Sequence, residues 1–219
     1  MKIMILAAGE GRRLHPLTQV TPKPLLQVGG KHLIERHIER LVAAGFTTAV
    51  INLFHLGHEI ELALGDGNKL GAEISYSKET QLLETGGGIA NAMGLLGQDD
   101  FIVVNGDIYT DFDFSCLNSL APGLLGHLVM VDNPVHHPEG DFAINDEGLL
   151  KKEGACLTYA GISVLSPRLF IGCDPGPFPL LDLLVSAISS GKLSGEHYEG
   201  FWTDVGTLDS FEELQTQRG

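Results

Sequence analysis

Residues 1–24, MKIMILAAGEGRRLHPLTQVTPKP, decide the fold. The apolar run Ile3-Met4-Ile5-Leu6 breaks into Ala7-Ala8-Gly9-Glu10-Gly11, and Arg12 and Arg13 follow at once. A short apolar run that stops at glycines reads as a strand buried on both faces. Glycines let main-chain N–H groups approach an anion closely, because no Cβ stands in the way, and arginines add forked donors. Lys23 sits between Pro22 and Pro24, so its flexible side chain starts from a stiff base. A lone glycine pair would read as a tight turn with solvated charges beside it. The combination with Arg13 and the Pro-Lys-Pro clamp predicts a phosphate cradle at the end of a strand.

The composition narrows the classes. The chain has 219 residues and 43% hydrophobic content, enough for one well-buried domain spanning 1–219. Its formal net charge of −14 argues against nucleic acid or a membrane surface as partner, since both would repel it. Against that field, the concentration of Arg12, Arg13 and Lys23 near one end is informative. Cys116, Cys156 and Cys173 are widely spaced and form no Cys-x-x-Cys pair, so they read as reduced structural thiols. No apolar stretch is long enough to span a bilayer, and the first strand begins without a leader-like segment, which gives the expectation of a cytoplasmic protein.

Outward from the first strand the pattern alternates. Leu33–Ala44 carries apolar residues at helical spacing and ends at Gly45; Thr47–Leu53 is a strand; Gly57–Leu64 is a helix stopped by Gly65-Asp66-Gly67. Ala72–Ser77, Thr85–Leu96 and Asp100–Val104 repeat strand, helix, strand. This order predicts a mostly parallel α/β sheet. Phe112–Leu120 reads as a further helix, Gly126–Val131 and Thr158–Leu165 as central strands, and Phe178–Ser189 as a helix. Residues 141–150, DFAINDEGLL, suggest a hairpin turning at 145–148, a small β insertion covering the sheet edge. Tyr198–Thr203 reads as a last strand, before a helix that Thr207 can cap.

Two carboxylates end strands in glycine-containing turns. Asp107 closes Asn105-Gly106-Asp107, at the sheet edge where open α/β folds bind ligands, and Asp204 precedes Val205-Gly206. Each alone reads as a turn-forming aspartate. Together with a phosphate cradle they predict a site for Mg²⁺, whose preference is for hard oxygen ligands. The glycines Gly86-Gly87-Gly88 weaken a helix start, and two readings stand level: close approach by a flat base, or tight packing of helix on sheet. The histidine pairs 55/58 and 136/137 lack a third ligand and read mostly as surface residues. A dinucleotide-binding reading fails for want of a third glycine after Gly9 and Gly11.

Leu6–Leu14, Pro16-Leu17-Thr18 and Pro22-Lys23-Pro24 resemble the signature of sugar-1-phosphate nucleotidyltransferases, and Asn105-Gly106-Asp107 and Trp202–Thr207 resemble its two metal-aspartate motifs. The resemblance spans essentially the whole chain. Residues 83–88, 131–134, 140–142 and 194–198 are similar to the bacterial branch that uridylylates N-acetylmuramic acid α-1-phosphate. It implies a Rossmann-like, GT-A-like three-layer αβα domain with a mixed, mostly parallel sheet, acting on UTP and a sugar-1-phosphate with Mg²⁺ as cofactor, as a monomer or weak dimer.

By the same resemblance Ala7, Ala8, Gly9, Glu10, Gly11, Arg12, Arg13 and Lys23 face the triphosphate, Arg13 and Lys23 being catalytic. Glu79, Gln81, Leu83, Glu84 and Gly86 surround the base; Asn105, Asp141 and Glu196 hold the sugar; Asp107 and Asp204 bind the metal. Longer relatives carry a Glu-Lys-Pro motif near the middle of the chain, where this sequence has Lys151-Lys152-Glu153 without the proline. The chain ends too soon after Asp204 for the C-terminal β-helix of longer relatives to be expected. A uridylyl-, guanylyl- or thymidylyltransferase of another hexose-1-phosphate such as mannose- or glucose-1-phosphate, and an inactive nucleotide-sugar sensor, remain the alternatives at this level.

Overall fold

A computed structural model describes residues 1–218. Its strands and helices, in chain order, are β1 (Ile3–Leu6), β2 (Gln27–Val28), β3 (Lys31–His32), α1 (Leu33–Ala43), β4 (Thr48–Leu53), α2 (Gly57–Leu64), β5 (Glu73–Lys78), α3 (Glu84–Leu96), β6 (Phe101–Asn105), β7 (Ile108–Thr110), β8 (Gly126–Val131), β9 (Ala143–Ile144), β10 (Leu150–Lys151), β11 (Thr158–Leu165), α4 (Leu180–Ser189), β12 (Leu193–His197), β13 (Trp202–Asp204) and α5 (Leu208–Arg218). Seven strands form the central sheet in the order β12-β8-β11-β6-β1-β4-β5. All neighbours are parallel except β11, which runs antiparallel to both β6 and β8. This is the mixed, mostly parallel α/β sheet expected from the alternation.

The physical reason is burial on both faces. Ile3, Met4 and Ile5 of β1, and Phe101 through Val104 of β6, are buried throughout, because helices cover the sheet on either side. Each such side chain contributes about 1.5–3 kcal/mol relative to exposure. α1 turns Leu33, Ile34, Ile38 and Leu41 inward, and at its N-terminus Glu35 Oε2 accepts from His32 N–H at 3.2 Å. Its inward face also carries His37, whose Nε2 meets the carbonyl of Ile108 at 2.9 Å.

The hairpin forms as expected: Asn145 Oδ1 accepts from Glu147 and Leu149, and Leu149 bridges to Ser194 on the edge strand β12. The Thr207 cap is also present, its hydroxyl accepting from Ser210 N–H at 3.2 Å. Two expectations need correction. Phe112–Leu120 is no helix: Asp113 caps a single turn at Phe114–Cys116, and Phe112, Phe114 and Leu117 are all buried, a spacing that one helix face cannot present. Of the strand expected at Tyr198–Thr203, only Trp202 and Thr203 form one, in β13, while the longer strand β12 ends before it at His197. β12 was illegible because its Ser194-Gly195-Glu196 core is polar, as an edge strand tolerates. The cysteines are free thiols, as expected. No helix among the described residues is long and apolar enough to cross a membrane.

Candidate active site

The C-terminal ends of β1, β4 and β6 open onto a cleft with two sides that meet at Asn105 and Asp107. On one side the loop after β1 presents Ala7, Ala8 and Gly9 beside Lys23 and the start of α3, Glu84 and Thr85. A Cβ added at Gly9 would meet nothing within 4 Å, so the space in front of this glycine is not filled by the protein itself. Gly11 differs: its φ of +63° and the Thr18 methyl 2.9 Å from its absent Cβ make it a structural glycine. Thr18 Oγ1 donates to its carbonyl at 2.8 Å.

This loop is held from below by a residue the sequence reading passed over. Asn52, at the end of β4 and 2% exposed, accepts from Ala7 N–H at 2.8 Å and donates to Glu79 Oε1 at 2.7 Å. The second oxygen of Glu79 accepts from Leu83 N–H at 3.0 Å. Glu79, expected beside the base, therefore ties the cradle to α3. The signal was available in principle, since Asn52 is the lone amide in the apolar run of β4.

The three glycines of α3 resolve toward packing. A Cβ at Gly86 would enter the Phe178 ring, one at Gly87 would strike the Gly176 carbonyl, and one at Gly88 would lie 2.8 Å from Asn52 Nδ2. What approaches Gly86 and Gly87 is the chain's own segment before α4, and both of their N–H groups donate to Phe178 O, while Gly88 faces Asn52 and Glu79. Gly86 is thus buried against protein. Leu83 is half-buried, Gln81 is exposed, and Glu84 holds the left-handed φ of +59° that non-glycine residues adopt rarely, at the cleft wall.

Of the basic residues, Lys23 Nζ lies 2.6 Å from Asp107 Oδ2 and is nearly buried. Arg13 stands on the opposite side of the cleft from the cradle, close to Gly206, whose absent Cβ would lie 2.7 Å from Asp204 Oδ2 and 3.5 Å from the Arg13 guanidinium. Arg12 pairs with Glu10 at 2.6 Å, and neither residue lines the cleft.

Asp107 and Asp204 line the same side of the cleft. β13 pairs antiparallel with β7, setting Asp204 opposite Ile108, and Val205 N–H donates to Asp107 O at 2.8 Å. Asn105 is pressed into place by Gly161, where a Cβ would sit 2.6 Å from its Nδ2; Gly161 has φ +73° within the irregular pairing of β11 and β8. His136 is exposed, as expected, yet its Nε2 lies 3.2 Å from Asp204 Oδ1 at the edge of the site. Asp141, expected on the sugar, uses both oxygens within the protein: one faces His137 Nε2 at 3.1 Å and the other accepts from Tyr159 N–H at 2.8 Å. Burial pushes the Tyr159 phenol up to about 12, with Asp141 adding and Ser163 opposing, so it stays neutral. Glu196 lines neither side; its carboxylate is 3.5 Å from His127 on the neighbouring strand.

The donor set suits Mg²⁺. Asp107 and Asp204 offer hard, partly exposed oxygens on adjoining segments. Among the described residues no cluster of three or more His, Cys, Asp or Glu side chains completes a metal shell. Mg²⁺ ordinarily combines one or two carboxylates with substrate phosphates and water, so two suffice.

Residues 2–122 match the family model described as nucleotidyl transferase. The chain is 45% identical to N-acetylmuramate alpha-1-phosphate uridylyltransferase of Neisseria meningitidis serogroup B, over 100% of this chain and 99% of that protein. A protein of the same name from Caulobacter vibrioides is 35% identical over 93% of this chain and 90% of its own. The crystal structure of HddC from Yersinia pseudotuberculosis complexed with GMP-PN superposes with a TM-score of 0.80 at 23% identity, covering 99% of this chain and 98% of that one, which bears on the fold alone. A glycine cradle facing paired aspartates across one cleft, on this sheet and with these relatives, leads to one conclusion: the chain belongs to the nucleotidyl transferase family and is a sugar-1-phosphate nucleotidyltransferase.

Proposed function

We propose that this chain transfers UMP from UTP to N-acetylmuramic acid α-1-phosphate, giving UDP-N-acetylmuramic acid and pyrophosphate. The observation that carries the reading is the meeting of the two sides at Asp107: a backbone cradle with open space at Gly9 on one, and a wall of polar side chains on the other. UTP lies along the cradle, its base against the first turn of α3 at Glu84 and Thr85. The sugar phosphate enters beside Asn105 and Trp202, whose indole is fixed by donation to Ala160 O at 2.8 Å. The near-complete match to two proteins named for this reaction supports the choice of acceptor.

An oxygen of the sugar phosphate forms a bond to the α-phosphorus as the bond to the bridging oxygen breaks, and pyrophosphate leaves with that electron pair. The attacking group is already an anion, so no base is needed, and the protein supplies alignment and positive charge. Lys23 neutralises charge around the reacting phosphorus, and Arg13 reaches the phosphates from beside Asp204. Asp107 and Asp204 would hold Mg²⁺, which supplies further charge neutralisation at phosphate oxygens. With this acceptor the enzyme serves peptidoglycan recycling in the cytoplasm, and residues 1–219 act as one catalytic domain, a monomer or weak dimer.

The test is pyrophosphate release with UTP, GTP and dTTP, each against the α-1-phosphates of N-acetylmuramic acid, N-acetylglucosamine and mannose. UTP with the muramyl acceptor is expected to be the fastest pair; a faster GTP and mannose pair would replace this reading.

A further inference from the structure

The acceptor side of the cleft needs an explanation for its histidines. Apart from these and Arg13, which stands beside Asp204, its wall is neutral or acidic. Lys151 and Lys152 are exposed and line neither side. His136 and His137 come from the strap between β8 and β9, and the strap is braced. Asn133 Nδ2 donates to the carbonyls of Pro138 at 3.0 Å and Cys156 at 2.9 Å, while Thr158 Oγ1 donates to Asn133 Oδ1 at 2.9 Å. Gly140, with φ +65°, lets the strap close onto Cys156, since a Cβ there would lie 2.9 Å from that carbonyl.

The two rings have different partners. His136 faces Asp204, and His137 is gripped at Nε2 by Asp141, which is itself anchored by Tyr159 N–H. His137 is thus a half-exposed imidazole held in one orientation on the acceptor wall, with its second nitrogen available. With one N–H given to Asp141, the ring offers a carboxylate a second N–H at Nδ1 as the imidazolium, the form that an anionic ligand selects, so it suits an anionic group on the ligand that is separate from the phosphate.

We propose that His137, oriented by Asp141, is the specificity-determining residue for the acceptor and binds a carboxylate on the sugar ring. In N-acetylmuramic acid that carboxylate is the lactyl group, which N-acetylglucosamine lacks. This inference rests on the proposed function for the acceptor class. Asp141 is then a positioning residue and leaves direct sugar contact to His137. A sugar without the carboxylate loses this contact, and discrimination follows from the missing partner.

The experiment compares N-acetylmuramic acid and N-acetylglucosamine α-1-phosphates, with UTP, in the wild type and in His137→Asn. Loss of a hydrogen bond to a charged group predicts a rise of about tenfold or more in KM for the muramyl acceptor. The expected kcat is nearly unchanged, as is KM for the glucosamine acceptor. His136→Gln, acting at Asp204, is expected to impair both acceptors alike. Equal effects of His137→Asn on both acceptors, or none on either, overturn the proposal. If neither acceptor is turned over, the proposed function fails, and protection against thermal unfolding by each sugar phosphate still decides. Stronger protection by the muramyl compound, abolished in His137→Asn, supports the inference; equal protection of the wild type by both contradicts it.

Discussion

On one side of the cleft the chain presents backbone, and on the other it presents side chains. The cradle side is Ala7, Ala8 and Gly9, secured by Asn52 and Glu79 from behind; the acceptor side is Arg13, Asn105, His136, His137, Trp202 and Asp204. The difference matches what each side would bind. Phosphates offer many equivalent oxygens, which N–H groups and a fixed ammonium satisfy without much geometry, whereas one sugar is told from another by single groups in set places. A side built of backbone tolerates change in its side chains but not in its approach distances. A side built of side chains has the opposite tolerance.

Three measurements can break or sharpen this contrast, in order of expected effect. Gly87→Ala places a methyl against the Gly176 carbonyl, so it is expected to cost about 3 kcal/mol in urea unfolding, the upper end for overpacking. A neutral outcome would mean that the glycines are there for a ligand after all. Next, burial lowers His37 to about 4 from 6.5. Its folded form stays neutral while the unfolded chain takes up a proton, so this stability is complete above pH 6.5 and is lost as the pH falls toward 4. The loss between pH 7 and 4.5 amounts to about 2 kcal/mol. His37→Gln, measured over the same range, is expected to flatten that part of the profile; an unchanged slope refutes the assignment. Last, Gly9→Ala has room in the protein, so its thermal midpoint is expected to hold, while KM for UTP rises about tenfold and KM for the sugar phosphate stays put. An unaffected KM for UTP would remove the cradle from the site.

What the sequence showed followed from locality. β1, its glycines, Lys23 and the turns holding Asp107 and Asp204 were readable because each signal lies within a few residues. The inward stripe of α1 was readable by its period. The roles of Asn52 and Glu79 depend on a hydrogen bond between residues 27 apart, and His136 reaches Asp204 through a strap whose bracing runs to Cys156 and Thr158. No spacing within one segment reveals such contacts. The glycine triplet shows the same limit: both readings demanded small residues, and only Phe178 and Gly176, from a distant segment, separate them.

Asp107 is where the two sides join, with Lys23 on its carboxylate and Val205 on its carbonyl. The most direct test of the account is therefore pyrophosphate release by Asp107→Asn with UTP, sugar phosphate and Mg²⁺. The substitution keeps the side chain's size, so the thermal midpoint is expected to stay near that of the wild type while turnover falls by about a thousandfold. A folded variant that forms UDP-sugar at near wild-type rate would contradict the account.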